Sequence, residues 1–259
     1  MLKRISTSLI GLLVFFAVIF SHHYVLYGAV TLITLGMLCE MYKMIDTPKP
    51  LTVIGLLIGI FVCFGCVTNT RAFSIITSFM IYGFAMIVLH GKVDSKNVMT
   101  SAFATVFISL FMGTLISIRK LDRFIVLLPF VCAWLSDTGA YFIGSLMGKH
   151  KLCTNISPKK TIEGAVAGLI FSALGSAGFI AVMTGFNPNM MALVKFSLIG
   201  LSVGALSQFG DLIFSCIKRD SGKKDYGSIL PGHGGILDRF DSVLFVIPFV
   251  YYVIQYVIK

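Results

Sequence analysis

Nine long apolar stretches limit what this chain can fold into more than any other feature. They run over 5–21, 24–42, 51–68, 72–89, 98–118, 124–146, 162–183, 191–216 and 242–258. A helix needs about 20 such residues to cross the hydrocarbon of a bilayer. A soluble chain of 259 residues could bury a core, but here 57% of residues are hydrophobic and 12% charged. At a mean hydropathy of +0.93 too little polar surface remains to face water. The expected fold class is an all-α integral membrane protein, a bundle of about nine transmembrane helices.

The first run follows Lys3 and Arg4 as a secretory leader would, yet Ser21-His22-His23 stands where a small-residue cleavage site belongs. It is expected to stay as the first helix. Lys and Arg in alternate loops set the orientation. With the N-terminus inside, fifteen of the 21 fall on the inner side, five (Arg71, Arg119, Lys120, Arg123 and Lys259) on the outer side, and Lys195 within a run. The bias puts the N-terminus in the cytoplasm, with the Arg119–Arg123 cluster as its one violation.

The formal charge of +10 suits membrane lipids with anionic headgroups and anionic substrates. No soluble domain is present to carry a nucleic-acid surface, so no nucleic-acid partner is expected. Five of the six cysteines lie in or beside the apolar runs. Cys63-x-x-Cys66 has redox spacing but no second Cys/His pair nearby, which points to inert buried thiols. The pairs Gly55/Gly59, Gly164/Gly168 and Gly200/Gly204 predict close helix contacts. A homodimer interface would use the same chemistry and stays open.

The chain divides into two regions. Residues 1–123 are N-terminal transmembrane helices. Residues 124–259, the C-terminal transmembrane region, add two polar inner loops, 148–161 and 217–241. The second loop mixes Lys218, Arg219, Lys223, Lys224 and Arg239 with Asp220, Asp225, Asp238 and Asp241. Orientation alone has no use for those carboxylates. The cations suit phosphate oxygens, and the glycines of Pro231-Gly232-His233-Gly234-Gly235 let backbone amides approach an anion. If a helix starts near Leu237, Asp238 and Asp241 share a face, an arrangement that suits Mg2+. The plainer alternative is a solvated basic loop against lipid headgroups. Asp137 and Asp211 lie inside apolar runs, where an unpaired charge is costly. Two such acids at the cytoplasmic ends of runs, beside basic loops, favour a polar cavity over one buried helix–helix pair.

From Ser215-Cys216-Ile217-Lys218-Arg219 through Lys224-Asp225 and Pro231-Gly232-His233-Gly234-Gly235 to Asp238-Arg239-Phe240-Asp241, the chain resembles the phosphatidate cytidylyltransferase (CDP-diacylglycerol synthase) family over 27 consecutive positions. Trp134-Leu135-Ser136-Asp137-Thr138-Gly139-Ala140-Tyr141 and Ser157-Pro158-Lys159-Lys160-Thr161 resemble two further family elements. The likeness covers Trp134 to Asp241, whereas the N-terminal half matches only as apolar runs. Phe214 and Ile162 depart from the Glu and Trp of many relatives.

The resemblance implies transfer of a cytidylyl group from CTP to phosphatidic acid at the inner membrane, with the active-site loops cytoplasmic. It implies that Asp211, Asp238 and Asp241 hold Mg2+, as one ion or two. Lys159 and Lys218 would hold phosphate, and Asp137 would join either set. Ser157, Lys160, Arg219, Lys224, Arg239, Gly234 and Gly235 are the further expected substrate contacts. For His233 a phosphate contact is favoured over a general base, since phosphatidate is already ionised. Thr161 and Glu163 read as the cap and first turn of a helix. The rivals are an anion transporter, which would show midplane sites and paired repeats, an idle lipid-binding scaffold, and an enzyme using CTP on another lipid.

Overall fold

The computed structural model describes residues 2–227 and 234–258. Its helices are α1 (Leu2–Phe20), α2 (His23–Met44), α3 (Lys49–Thr68), α4 (Arg71–Val88), α5 (Ser95–Leu121), α6 (Leu128–Met147), α7 (Ile162–Met183), α8 (Met190–Asp220), α9 (Leu237–Leu244) and α10 (Val246–Val253). A 3-10 turn, Ile125–Leu127, leads into α6, and a π turn, Ile254–Ile258, follows α10. The one sheet among the described residues is an antiparallel hairpin of β1 (Lys151–Cys153) and β2 (Ser157–Thr161).

Among the described residues, seven helices, α2 to α8, are long and apolar enough to cross a membrane, and α1 is apolar over Gly11–Phe20. The chain is therefore a nearly all-α, multi-pass membrane protein. The expected ninth run, 242–258, is instead broken into pieces below crossing length. Pro248 supplies the reason, because a proline inside a helix clashes with the carbonyl four residues earlier. That residue is Leu244, where α9 ends.

The chain forms two compact units. The first comprises residues 1–123 and 221–240, and α5 packs there against α2, α3 and α4. Ile108, Met112, Ile116 and Ile118 of α5 are fully buried. In its interior the hydroxyls of Tyr42 and Tyr82 each lie 2.5 Å from Thr105 Oγ1, which donates to the Ser101 carbonyl at 2.6 Å. Buried hydroxyls are tolerated when they satisfy one another in this way. Gly55 leaves the room, since a Cβ there would come within 2.8 Å of Tyr82 Oη.

The basic cluster at 119–123 has a structural role in the same unit. Arg119 donates to the Ser21 carbonyl, Arg123 to that of Phe20, and Lys120 to those of Cys66 and Val67. These carbonyls close α1 and α3, whose C-terminal dipole ends favour cations. The three residues that break the charge asymmetry are thus spent on helix ends.

The second unit comprises residues 124–220 and 241–259. Here α7 packs against both α6 and α8, and α10 rests on α8 and α6. Close approach occurs at the expected glycines. A Cβ on Gly168 would sit 2.9 Å from the Ser136 carbonyl, and one on Gly200 would sit 2.5 Å from that of Ser172. Gln208 Nε2 donates to the Ala165 carbonyl at 2.9 Å, bridging α8 to α7. In both units large apolar side chains also face outward, among them Phe84, Phe103, Leu146 and Leu174. Helices apolar on every side are solvated by lipid.

Gly200→Ala is expected to lower stability in detergent by about 1–3 kcal/mol, the usual cost of overpacking. Gly178→Ala, which meets open space, should be neutral. Equal thermal unfolding midpoints for the two variants would contradict this packing.

Candidate active site

Three local rules gather charged groups in the second unit. The first is strand alternation. Pro158 restrains Ser157 to an extended conformation, and successive residues of β2 point to opposite sides. Lys159 is exposed, whereas Lys160 turns inward and places Nζ 2.6 Å from Asp211 Oδ2. The second is helical periodicity. Asp211, Ser215 and Lys218 lie at i, i+4 and i+7 on one face of α8. Ser215 donates to Asp211 Oδ1 at 3.3 Å, and Lys218 Nζ stands 3.7 Å from Asp241 Oδ2. Arg219 Nε donates to the Ile156 carbonyl at 3.2 Å, tying the end of α8 to the hairpin turn.

The third rule is backbone approach. A Cβ on Gly210 would fall 2.7 Å from the Asp241 carbonyl, so only glycine lets α8 lie this close to Asp241. Asp241 is 8% exposed, and its Oδ1 accepts from the Ser242 amide at 2.8 Å. Asp137 on α6 stands near the Ser242 side chain and within electrostatic reach of Asp211 and Lys160. Burial pushes the Asp241 carboxyl well above the usual carboxylate range; the Asp211 carboxylate adds to this and Lys218 opposes it.

Asp137, Asp211 and Asp241, with Lys160 and Lys218, therefore form one charged group. Its donors are hard carboxylate and hydroxyl oxygens. Among the described residues no three His, Cys, Asp or Glu side chains stand close enough to ligate one ion together. Such a set fits Mg2+ in its usual manner, with one or two carboxylates and the remaining positions taken by water and substrate phosphates.

The other expected site residues belong to the first unit. Lys224 and Arg239 are exposed. Gly234 has φ +82°, which favours glycine, and Gly235 is buried. Helix α9 begins at Leu237, the start that the shared-face reading supposed, with Asp238 in its first turn. Asp238 Oδ2 accepts from the amides of Tyr226 at 2.9 Å and Gly235 at 3.0 Å, organising the preceding loop. His233 lies outside the described residues. Phe214, the departure from the family pattern, is fully buried with its ring edge-on to Phe245.

Two residues escape the sequence reading. Glu40 on α2 is 1% exposed and accepts from the amides of Ile236 and Leu237 at 2.9 and 2.8 Å. Its signal was available, because it is a lone acid inside the run 24–42. Ser242 carried none. The expected cap is present: Thr161 Oγ1 accepts from the Gly164 amide at 3.2 Å, and Glu163 in the next turn accepts from His150 Nδ1 at 2.7 Å. Thr161→Ala should destabilise the protein by about 1 kcal/mol while Thr161→Ser does not, a difference read by thermal unfolding in detergent.

Comparison with known proteins gives concordant matches. The cytidylyltransferase family model matches residues 2–257. The chain is 35% identical to the phosphatidate cytidylyltransferase of Staphylococcus aureus (strain COL) over 259 residues, covering 95% of each protein. It is 50% identical over 123 residues to the protein of that name from Staphylococcus haemolyticus, covering 48% of this chain and 46% of the relative. The Bacillus subtilis (strain 168) protein of that name is 42% identical over 154 residues, covering 58% of this chain and 56% of the relative.

Proposed function

The chain belongs to the cytidylyltransferase family, and from that premise we propose that it transfers CMP from CTP to phosphatidate, forming CDP-diacylglycerol and pyrophosphate. A phosphatidate oxygen attacks the α-phosphorus of CTP. As that P–O bond forms, the bond from the α-phosphorus to the bridging oxygen breaks, and pyrophosphate leaves with the electron pair. The nucleophile is already ionised, so the protein has little proton transfer to perform. Its task is to position two anions and to offset charge where it develops.

The observation that carries this reading is the pairing of Lys160 with Asp211 and of Lys218 with Asp241 beside Asp137. Two lysines held at fixed places suit phosphate oxygens. Arg219 at the end of α8 adds a third cation, and Lys159, exposed on β2, stands free of the Asp211 pair to meet a headgroup. Asp211 and Asp241 would hold Mg2+, with Asp137 beside them. The ion would supply positive charge to the phosphate oxygens. The lipid's acyl chains stay among the apolar helices while its headgroup meets the polar residues.

The protein resides in the cell membrane with its N-terminus and its polar loops in the cytoplasm, where CTP is found. The distribution of Lys and Arg supports that orientation, and the role of Arg119, Lys120 and Arg123 as helix caps removes its main exception.

The test is an assay of purified protein in detergent with labelled CTP, phosphatidate and a metal series, with the lipid product identified. Labelled CDP-diacylglycerol should form only with phosphatidate and a divalent cation. Asp211→Ala and Asp241→Ala should abolish turnover without blocking membrane insertion. Lys218→Met should lower kcat about 100-fold or more, the scale of removing one charge-stabilising donor. Full turnover in the Asp241 variant, or product formation in EDTA, would remove the metal assignment.

A further inference from the structure

We infer that Glu40 is a positioning residue for the transfer reaction: its carboxylate fixes where the glycine-rich loop closes and where α9 begins. The inference rests on the proposed function for its reaction and on the first unit alone for its geometry.

Helix α2 reaches the loop through one face. Gly36 and Glu40 lie at i and i+4 on one face, and the Lys43 backbone follows one turn further on. Gly36 makes room for Ile236, whose Cδ1 would stand 2.6 Å from a Cβ there. Glu40 accepts the amides of Ile236 and Leu237. The Lys43 carbonyl accepts Lys223 Nζ at 3.0 Å. All three contacts fall on residues 223–237, a segment remote in sequence from α2.

The two amides that Glu40 takes are donors that the start of a helix leaves without an intrahelical partner. A carboxylate there is also favoured by the helix dipole. Hydrogen bonds to a charged acceptor are stronger than neutral ones, and Glu40 is withdrawn from water. The loop closes on it tightly from two places. A Cβ on Gly227 would lie 2.6 Å from Glu40 Oε1, and one on Gly235 would lie 2.6 Å from Oε2. Both glycines are therefore required for the approach. Asp238 Oδ2 completes the neck by joining the amides of Tyr226 and Gly235. Four backbone amides on the two sides of the loop thus converge on two carboxylates, one from α9 itself and one from α2.

Asp238 belongs to the loop's own helix and closes the neck locally. Glu40 gives that neck a fixed place relative to α2. Without it, Lys223, Lys224, Gly234 and Asp238 would keep their chemistry but lose their common position. A displacement of this kind in a reacting assembly costs about 100-fold in rate.

The experiment compares wild type, Glu40→Gln and Glu40→Asp in the CTP-and-phosphatidate assay, with thermal unfolding and amide hydrogen exchange in the same detergent. Glutamine keeps the shape but offers one acceptor oxygen in place of two. It should lower kcat about 10- to 100-fold, with a smaller change in the KM for CTP and an unfolding midpoint close to wild type. Peptides spanning 223–227 and 234–238 should exchange faster, while peptides of α5 keep their protection. Aspartate, which retains both oxygens, should recover part of the lost kcat. Full kcat in Glu40→Gln would overturn the inference. So would loss of protection throughout α5, or failure of both variants to fold, since Glu40 would then serve the fold as a whole. An inactive wild type would remove the reaction itself, a result read separately from any difference between wild type and variants.

Discussion

A carboxylate surrounded by apolar helices keeps its charge only if a cation or several N–H donors stand beside it. The second unit meets that demand with lysines. Lys160 faces Asp211 and Lys218 faces Asp241, so each of these two carboxylates has a cation beside it among the apolar helices. A hydrocarbon replacement would suit the bilayer better, because an ion pair withdrawn from water, as Lys218 and Asp241 largely are, is a poor route to stability. On the proposed function, that charge would serve anionic phosphates and a hard cation. The raised carboxyl of Asp241, beside a second carboxylate, describes a place where further positive charge is welcome.

The first unit answers the same demand differently. Glu40 and Asp238 are satisfied by backbone amides, and their charge is spent on loop geometry. Cations show a similar division. Lys160 and Lys218 stand against carboxylates, whereas Arg119, Lys120 and Arg123 close helix C-termini. Residue type and membership of a charged cluster therefore do not reveal the job. The partner does.

Much of the architecture could be read before any coordinates. The long helices fall where the apolar runs lie, and Thr161 caps α7. The break at Phe245 was also written in the chain, as Pro248, but apolarity alone masks it. Lys159 and Lys160 show where such reading stops. They are adjacent and chemically identical, and the parity of a short strand sends the second one to Asp211. That parity follows from the hairpin register, which pairs Lys151 with Thr161.

The sequence by itself determined the membrane-spanning character, the places of the long helices, the cap at Thr161, and the family. These follow from apolar length, the residue type that opens a helix and a run of fixed polar residues, all properties of neighbours along the chain. Only the tertiary structure decided which carboxylate meets which cation and that Glu40 holds a loop 196 residues away. Those pairings depend on backbones approaching at Gly210, Gly227 and Gly235. Contact of that kind is set by packing in three dimensions, and no local pattern of residues encodes it.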